Sequence, residues 1–394
     1  MLRDPVGYRI TPLYTPNRHL VILGKSGFGK TFAANRDAAH RIRDGDKVII
    51  LDITGSYTKE ELARAGNVFG DNINYYEADE DEFMFPVCQE DAPGELTDAL
   101  VEAFKIQSYN QKMILTECCE ELFENIGVFT FMELFKILEK RQLKYQIESG
   151  AEFPDLLKNT KYLLNKLCHL RNVDNIIFIE SEVYESEYEQ EEKPVTVLQL
   201  SNFSGQQRQR LSVFLLSLIW MNAKYRGRHR ELDGYDAVLI DEFQHFPLTE
   251  DSSFNAILRE GRKYGFSSIL CSQYLSDRKR TEISALTQAG TVLLFRPTEN
   301  EVKLLIDMFN LEDAKIWKKI LLGLDVGEAI LIGSYKLEND RTLNRPVIVE
   351  IEDDMEPLAV PEAKHSKTDK TEPQDETINV PTTKESKRGK VIHR

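Results

Sequence analysis

The stretch LVILGKSGFGKT at residues 20–31 constrains the fold of this chain more than any other segment. Its last eight residues fit the spacing G-x-x-x-x-G-K-[ST], in which glycines let successive backbone N–H groups point at phosphate oxygens. Four apolar residues precede the loop and a helical pattern follows it, so the loop should join a buried strand to a helix N-terminus, which favours negative charge. The predicted phosphate-binding residues are Gly24, Lys25, Ser26, Gly27, Phe28, Gly29, Lys30 and Thr31. The sequence therefore predicts a site for ATP.

A second, acidic motif supplies the other half of such a site. The stretch YDAVLIDEFQHF at 235–246 places Asp241 and Glu242 directly after an apolar run. Lys30 is expected to reach the β and γ phosphates of ATP, while Thr31 holds Mg²⁺ directly and Asp241 holds it through water. Glu242 is predicted to polarise the attacking water as general base. The two motifs together predict ATP hydrolysis.

Short apolar runs indicate the fold. They lie at 20–23, 48–52, 195–200, 237–241, 267–272, 291–296 and 329–333, and they predict buried strands of a parallel sheet. Helical patterns at 30–43 and 206–225 alternate with these strands, as an α/β fold requires. The stretch after residue 93 interrupts the alternation with helical patterns alone, and Thr130 with Glu133 forms a capping box there.

The chain is predicted to have four parts. Residues 1–92 form the N-terminal part of the core with the phosphate loop, and residues 93–180 an inserted all-helical subdomain. Residues 181–355 form the rest of the core with the Asp-Glu pair, and residues 356–394, which hold few large apolar residues, a disordered tail.

Composition adds limits on location and partners. A formal net charge of −15 argues against a protein covered in nucleic-acid-binding surface, although a ring with a basic lining can still be acidic outside. Five cysteines without a C-x-x-C pair indicate neither a zinc site nor a disulfide framework. The longest apolar stretch, VFLLSLIWM at 213–221, is too short to span a bilayer, so a cytoplasmic protein without a membrane span is expected.

The order of these segments resembles the HerA/FtsK superfamily, in particular its HerA-like branch and the related ATPases of conjugative type IV secretion. The resemblance covers about residues 15–352. The segments that carry it are RHLVILGKSGFGKT, VIILDITGSY at 48–57, VTVLQLSNFSGQQRQ at 195–209, LIDEFQHF, EGRKYGFSSILCSQY at 260–274, TVLLFRPTENE at 291–301 and LDVGEAILIG at 324–333. It implies a RecA-like P-loop NTPase core that uses ATP and Mg²⁺ and forms a homo-oligomeric ring, a hexamer, with nucleotides at subunit interfaces.

The resemblance also implies roles for three further residues. By this likeness Arg262 is an arginine finger that reaches the γ-phosphate bound by the neighbouring subunit, although an arginine there is also explained by the dipole of the helix it ends. Gln273 matches the family glutamine that senses the γ-phosphate, and Arg296 is a weaker candidate of the same kind. His245 is expected to be structural or at the surface.

Three departures from the family pattern stand out. Ser56 occupies the position of a usual glutamate, and the chain has Cys271-Ser272-Gln273 where threonine is more usual before the glutamine. HerA proteins carry an N-terminal β-barrel, and the secretion ATPases a large N-terminal domain, whereas about 17 residues precede the first predicted strand here. This indicates a motor that lacks the usual N-terminal domain.

The resulting expectation is a ring-forming ATPase that translocates or processes DNA, like a helicase. DNA would pass through the central channel and be held by phosphate contacts without sequence information. Arg226, Arg228 and Arg230 are candidates for the channel lining, or simply cations at a helix end. The alternatives are an ATPase that energises conjugative DNA or protein transfer, and a nucleotide-dependent scaffold in an antiphage complex with a nuclease or other effector. Glu242 argues against a pure scaffold.

Overall fold

A computed structural model gives the arrangement of most of the chain. The described residues are 2–13, 17–64, 68–87, 91–148, 150, 152–181, 183–184, 193–229, 235–276, 278–338 and 341–352. They lie in one compact unit that extends over Met1–Val360. The predicted disordered tail at 356–394 is outside the described residues.

Strands and helices alternate along most of this unit. The strands are β1 (Leu2–Arg3), β2 (Arg9–Pro12), β3 (Leu20–Leu23), β4 (Lys47–Asp52), β5 (Ile73–Glu77), β6 (Phe83–Val87), β7 (Val128–Phe129), β8 (Ile176–Glu180), β9 (Val195–Gln199), β10 (Asp236–Ile240), β11 (Phe266–Ser272), β12 (Thr291–Phe295), β13 (Glu328–Leu337), β14 (Thr342–Asn344) and β15 (Val347–Ile351). The α-helices are α1 (Lys30–Arg43), α2 (Lys59–Arg64), α3 (Ala92–Phe104), α4 (Tyr109–Ile126), α5 (Phe131–Ile147), α6 (Phe153–Leu167), α7 (Gly205–His229), α8 (Ser253–Glu260), α9 (Arg280–Ser284), α10 (Glu299–Met308) and α11 (Ala314–Gly323).

A large, mainly parallel sheet forms the centre of the fold. Its parallel part has the strand order β12-β3-β11-β10-β4-β9-β5, and β3, β10 and β11 are buried along their whole length. Such strands are apolar on both faces because helices cover both sides of the sheet. The predicted α/β fold with a mainly parallel sheet is confirmed.

One predicted strand has the opposite direction. The run at 329–333 lies in β13, which pairs antiparallel with β12 and places Val292 opposite Ile332. Strands β14 and β15 pair antiparallel with the other edge of β13. Strand β2 pairs antiparallel with residues 335–337 of β13, on the edge opposite β14. An apolar run buried within a sheet has the same composition in either direction, so its pattern did not reveal the antiparallel pairing.

Helices α3 to α6 occupy most of the segment predicted as a helical insertion, but strands β7 and β8 also lie in it. These two strands form a small separate sheet with β6 in the order β6-β8-β7. Phe178 of β8 packs against Phe85, Phe129, Phe131 and Phe214, with ring centroids 5.3 to 5.9 Å apart. This aromatic cluster joins the small sheet to α5 and α7, while the boundaries of the four predicted parts stay a prediction.

Helix α1, which follows the phosphate loop, is held against the sheet by a buried ion pair. Arg41 Nε donates to Asp37 Oδ2 at 2.7 Å, and Arg41 Nη1 donates to the Ser267 hydroxyl of β11 at 2.7 Å. Burying either charge alone would be costly, so the two compensate each other. The helix is thereby fixed relative to β11.

His19, just before β3, supports a prediction about acid stability. Its Nδ1 accepts a hydrogen bond from the Ser268 backbone N–H at 3.0 Å, and burial, with a smaller effect of the Arg41 charge, lowers its pKa to about 3. Below pH ~6.5 the unfolded chain therefore binds a proton at His19 that the folded protein does not bind. This contribution to the free energy of unfolding is fully present above that pH and is lost as the pH falls towards 3. Between pH 6.5 and 5 this loss should be about 2 kcal/mol.

Urea unfolding at several pH values measures this effect. His19→Asn keeps a side-chain acceptor near the position of Nδ1 but cannot titrate, so its stability should fall less on acidification than that of the unchanged protein. His229→Asn, at an exposed position, is the control and should keep the original pH dependence. Equal pH slopes for His19→Asn and His229→Asn would contradict the prediction.

Candidate active site

The phosphate loop lies at the carboxyl end of β3 and is tied to the structure on three sides. The Gly24 N–H donates to the Ser272 carbonyl at the end of β11 at 3.2 Å, and the Lys25 N–H donates to the Arg296 carbonyl just after β12 at 2.8 Å. The Phe28 carbonyl accepts from the Gly327 N–H at 3.1 Å. These hydrogen bonds hold the loop in place without a ligand, so less conformational entropy is lost when a ligand binds.

Two glycines of the loop are required by geometry. Gly24 has φ +149°, and a Cβ at this position would lie 2.6 Å from Phe295 Cβ. Gly29, the residue before α1, has φ +108°, and a Cβ there would lie 3.3 Å from Phe295 Cε1. Other residues rarely adopt such φ values, so both positions need glycine for the backbone conformation as well as for space.

An open cleft of about 560 Å³ faces the loop. Its lining combines predicted site residues with others that the sequence did not single out. The lining residues are Ser26, Gly27, Gly29, Lys30, Thr31, Phe32, Thr54, Ser56, Asp241, Glu242, Gln244, His245, Gln273 and Tyr274. Within it Lys30 is 6% exposed, and its Nζ donates to the Lys25 carbonyl at 3.3 Å.

Thr31 and Asp241 come together although 210 residues separate them in sequence. The Thr31 hydroxyl donates to Asp241 Oδ2 at 2.8 Å, and Asp241 is only 3% exposed. Burial raises the pKa of Asp241, as does the charge of Glu242, while the Thr31 hydrogen bond and the charge of Lys30 oppose the rise. A cation beside this carboxylate would favour its ionised form.

This pair fits Mg²⁺. Magnesium prefers oxygen ligands, keeps several waters, and is usually held by one or two carboxylates together with substrate phosphates. The described part of the chain contains no group of three or more His, Cys, Asp and Glu residues that could form a complete metal site. Such a group is not needed when ATP and water supply the remaining ligands, so Thr31 and Asp241 suffice on the protein side.

Glu242 has an unusual backbone conformation. Its φ of +59° and ψ of +48° lie in the left-handed region, where a residue with a side chain costs roughly 1–2 kcal/mol. Its N–H donates to Asp241 Oδ1 at 3.0 Å, and Gln273 Nε2 donates to its Oε1. Backbone strain of this kind clusters at functional sites, where surrounding contacts hold it in place.

Strand order explains how Gln273 reaches Glu242. Strand β11 lies between β3 and β10, and Ser272 pairs with Leu23 while Leu270 pairs with Ile240. The three strands are parallel, so they end at the same edge of the sheet. The residue after β11 therefore stands between the phosphate loop and the Asp-Glu pair.

The departures at Ser56 and in the segment Cys271-Ser272-Gln273 have different surroundings. Ser56 lines the cleft, and its hydroxyl lies 2.8 Å from that of Thr54. Asp52 organises this loop, because its carboxylate accepts backbone N–H groups from residues 54–57. Cys271 is fully buried among apolar side chains and does not line the cleft.

The two predicted arginines occupy different ends of the sheet. Arg296 follows β12, and its guanidinium lies over the Phe28 ring of the phosphate loop at 5.7 Å. Arg262 is exposed in the turn Gly261–Tyr264 before β11, whereas the cleft lies after the other end of that strand. A strand of seven residues spans roughly 20 Å, so Arg262 is not part of the cleft of its own chain.

The basic segment at the end of α7 also lies away from the cleft. Arg226 Nη2 pairs with Asp236 Oδ2 at 3.0 Å, at the start of β10, and Arg228 is exposed. Arg230 is outside the described residues. The ion pair gives Arg226 a structural contact.

His245 is exposed on the wall of the cleft, and its N–H donates to the Glu242 carbonyl at 3.2 Å. Gln244, Thr54 and Tyr274 also line the cleft but were not predicted as site residues. The one local sign of a role is that they follow Glu242, Asp52 and Gln273, respectively, by one or two residues.

The N-terminal half of the chain matches a known sequence family. The family described as helicase HerA, central domain, matches residues 15–219. No curated protein sequence matches the chain. No helix among the described residues has the length and apolar character needed to cross a membrane.

Solved structures share the fold. The chain is similar to VirB4 of Thermoanaerobacter pseudethanolicus, with 16% identity, a TM-score of 0.59, and coverage of 88% of this chain and 90% of that chain. It is also similar to the plasmid coupling protein TrwB in complex with the non-hydrolysable ATP analogue ADPNP, with 15% identity, a TM-score of 0.58, and coverage of 88% and 87%. At these identities the likeness shows a common fold.

Proposed function

The chain belongs to the family of the HerA helicase central domain, and from that premise we propose that it is a ring-forming ATPase that hydrolyses ATP to translocate DNA. One observation carries the hydrolysis proposal. The Glu242 carboxylate lies beside the Thr31–Asp241 pair and is contacted by the amide of Gln273. A phosphate loop, a buried magnesium ligand and an oriented carboxylate are the parts that phosphoryl transfer to water requires.

In the proposed reaction the backbone N–H groups of the phosphate loop and Lys30 bind the β and γ phosphates. Thr31 and Asp241 would hold Mg²⁺, which would supply charge neutralisation on the phosphate oxygens. Glu242 accepts a proton from the attacking water as the water oxygen bonds to the γ phosphorus and the bond to the bridging oxygen of ADP breaks. The products are ADP and inorganic phosphate. Gln273, between the loop and Glu242, is placed to sense the γ-phosphate.

The exposed position of Arg262 supports the proposal of a ring. No arginine of the described chain is among the residues that line the cleft. Arg262 is exposed at the far end of β11, where it is free to face another molecule. A second copy of the chain would then supply Arg262 to the cleft of its neighbour, which places ATP at the subunit interface.

We propose DNA as the substrate that the motor moves, because the chain belongs to the family of a helicase domain. Moving along DNA needs contacts to the phosphate backbone, and such contacts do not depend on sequence. The alternatives are conjugative transfer of DNA or protein and a nucleotide-dependent scaffold in an antiphage complex. VirB4 and TrwB share the fold with this chain at 15–16% identity, a level at which the likeness does not distinguish among these loads.

Turnover measured with and without DNA tests the proposal. We expect DNA to stimulate ATP hydrolysis, two duplexes of unrelated sequence to act equally, and the stimulation to fall steeply with added salt, because binding releases counterions from the phosphates. Turnover without DNA, at each salt concentration, is the control for effects of salt on the chemistry itself. A rate of hydrolysis that does not change when DNA is added would overturn the proposal of a DNA motor and favour the two alternatives.

A further inference from the structure

The Glu242 carboxylate is contacted by two amides. Gln273 Nε2 donates to Oε1, and Gln244 Nε2 donates to Oε2. A carboxylate without a proton only accepts hydrogen bonds, so the Gln244 atom that faces it is the amide nitrogen. Gln244 Oε1 then faces the Ser272 hydroxyl, which donates to it at 2.6 Å. The end of β11 thus fixes the orientation of the Gln244 amide.

The backbone around Gln244 is fixed as well. Arg278 Nη2 donates to the carbonyl of Gln244 at 2.8 Å and to that of Phe246 at 2.6 Å. The Arg278 side chain is 9% exposed. A buried guanidinium that binds two carbonyls of one loop holds the loop in one conformation, because hydrogen bonds from a charged donor are strong. Gln244 is therefore held in place through both its side chain and its main chain.

A second glutamine contacts the same loop in a different way. Gln209 of α7 donates its amide to the His245 carbonyl at 3.3 Å, so it supports the backbone and does not touch the carboxylate. Gln244 instead directs its donor to the group that accepts the proton in the proposed reaction. Comparing variants of the two glutamines therefore distinguishes support of the loop backbone from orientation of the Glu242 carboxylate.

We propose that Gln244 is a positioning residue for the general base, an inference that rests on the proposed ATP hydrolysis. Gln244 holds Oε2 of Glu242 while Gln273 contacts Oε1. When Gln273 turns to the γ-phosphate, its bond to Oε1 is given up, and Gln244 keeps the carboxylate directed at the attacking water. The position needs an N–H donor, so an acidic side chain of the same size should fail there.

Gln244→Glu tests this requirement. The substitution keeps the size of the side chain but replaces the donor with a second carboxylate beside Glu242. We expect kcat to fall about tenfold to a hundredfold, as misplacement of a catalytic group does, with KM and the affinity for a fluorescent ATP analogue changed less than about twofold. Gln209→Glu makes the same chemical change at the other glutamine that contacts this loop, away from the Glu242 carboxylate, and should leave kcat unchanged. Gln244→Ala, which adds no charge, should lower kcat as well, and the Tm of each variant reports folding.

The double variant with Glu242→Gln separates positioning from loop support. If Gln244 acts through Glu242, adding Gln244→Glu to Glu242→Gln should lower the residual turnover no further, because residues that act as a unit are not additive. An equal fractional loss in both backgrounds, or equal kcat values for Gln244→Glu and Gln209→Glu, would overturn the role of Gln244 while leaving the ATPase intact. Absence of magnesium-dependent hydrolysis in the unchanged protein would overturn the proposed function and this inference with it.

Discussion

Glu242→Gln is expected to bind ATP nearly as tightly as the unchanged protein and to hydrolyse it about 10²–10⁴ times more slowly. The substitution keeps the size of the side chain but removes the charge that accepts a proton from water. Binding should persist because the substitution changes none of the phosphate-loop residues, which join β3 to α1, whereas Glu242 follows β10. Titration with a fluorescent ATP analogue and steady-state phosphate release measure the two effects separately.

Two further variants serve as controls for that experiment. Lys30→Ala should weaken both ATP binding and hydrolysis, since it removes a contact to the β and γ phosphates. Glu250→Gln makes the same chemical change at an exposed position in the stretch after β10, outside the cleft, and should leave both quantities unchanged. Turnover in Glu242→Gln equal to that in Glu250→Gln would remove Glu242 from the mechanism.

Arg262→Ala is expected to lower turnover about 10³-fold or more, the effect of losing an arginine finger. The reason is its position: Arg262 is exposed at the end of the sheet opposite its own cleft, so as an arginine finger it would act on the nucleotide of another subunit. Activity per subunit should therefore rise with protein concentration as rings form. Lys263→Ala, which removes the neighbouring exposed cation of the same turn, is the matched control and should keep full activity.

Mixing two inactive variants tests the trans arrangement directly. Lys30→Ala subunits keep the finger but cannot use ATP, and Arg262→Ala subunits bind ATP but lack the finger. Mixed rings should recover part of the activity at interfaces that combine an intact phosphate loop with an intact finger. If size measurements show mixed rings that stay as inactive as either parent, Arg262 is not the finger. Specific activity that stays constant from monomer to ring would show that the ring is not needed for chemistry.

Local patterns in the sequence predicted a large part of the fold. All seven apolar runs named from the sequence contain strands, and the helical patterns at 30–43 and 206–225 correspond to α1 and α7. These elements were accessible because burial between helix layers requires continuous apolar runs, and such runs are visible without knowledge of the partners. Strands β1, β7 and β14 were missed because two or three residues carry no period that a pattern could reveal. Strands β2, β5, β6, β8 and β15, of four or five residues each, were missed as well.

Some contacts could not be read from any local pattern. The direction of β13 depends on its neighbours, and the buried pair of Asp37 and Arg41 lies on a helix whose pattern indicated only that it is helical. Gln244 stands beside a recognisable motif, yet its role depends on Ser272, which is 28 residues away in sequence. Burial of charge and the orientation of an amide depend on groups that distant segments bring into contact.

The sequence by itself determined the chemistry that the site can offer. The spacing from Gly24 to Thr31 requires a loop that turns its N–H groups inward, and the pair of Asp241 and Glu242 places carboxylates after a buried strand. Tertiary structure alone decided which of these groups meet. Because β11 lies between β3 and β10 in parallel register, Gln273 reaches Glu242, while Arg262, at the start of the same strand, is carried to the opposite end of the sheet. The physical reason is that hydrogen bonding between strands depends on the order and register of segments far apart in sequence, whereas glycine spacing and apolar runs act over a few neighbouring residues.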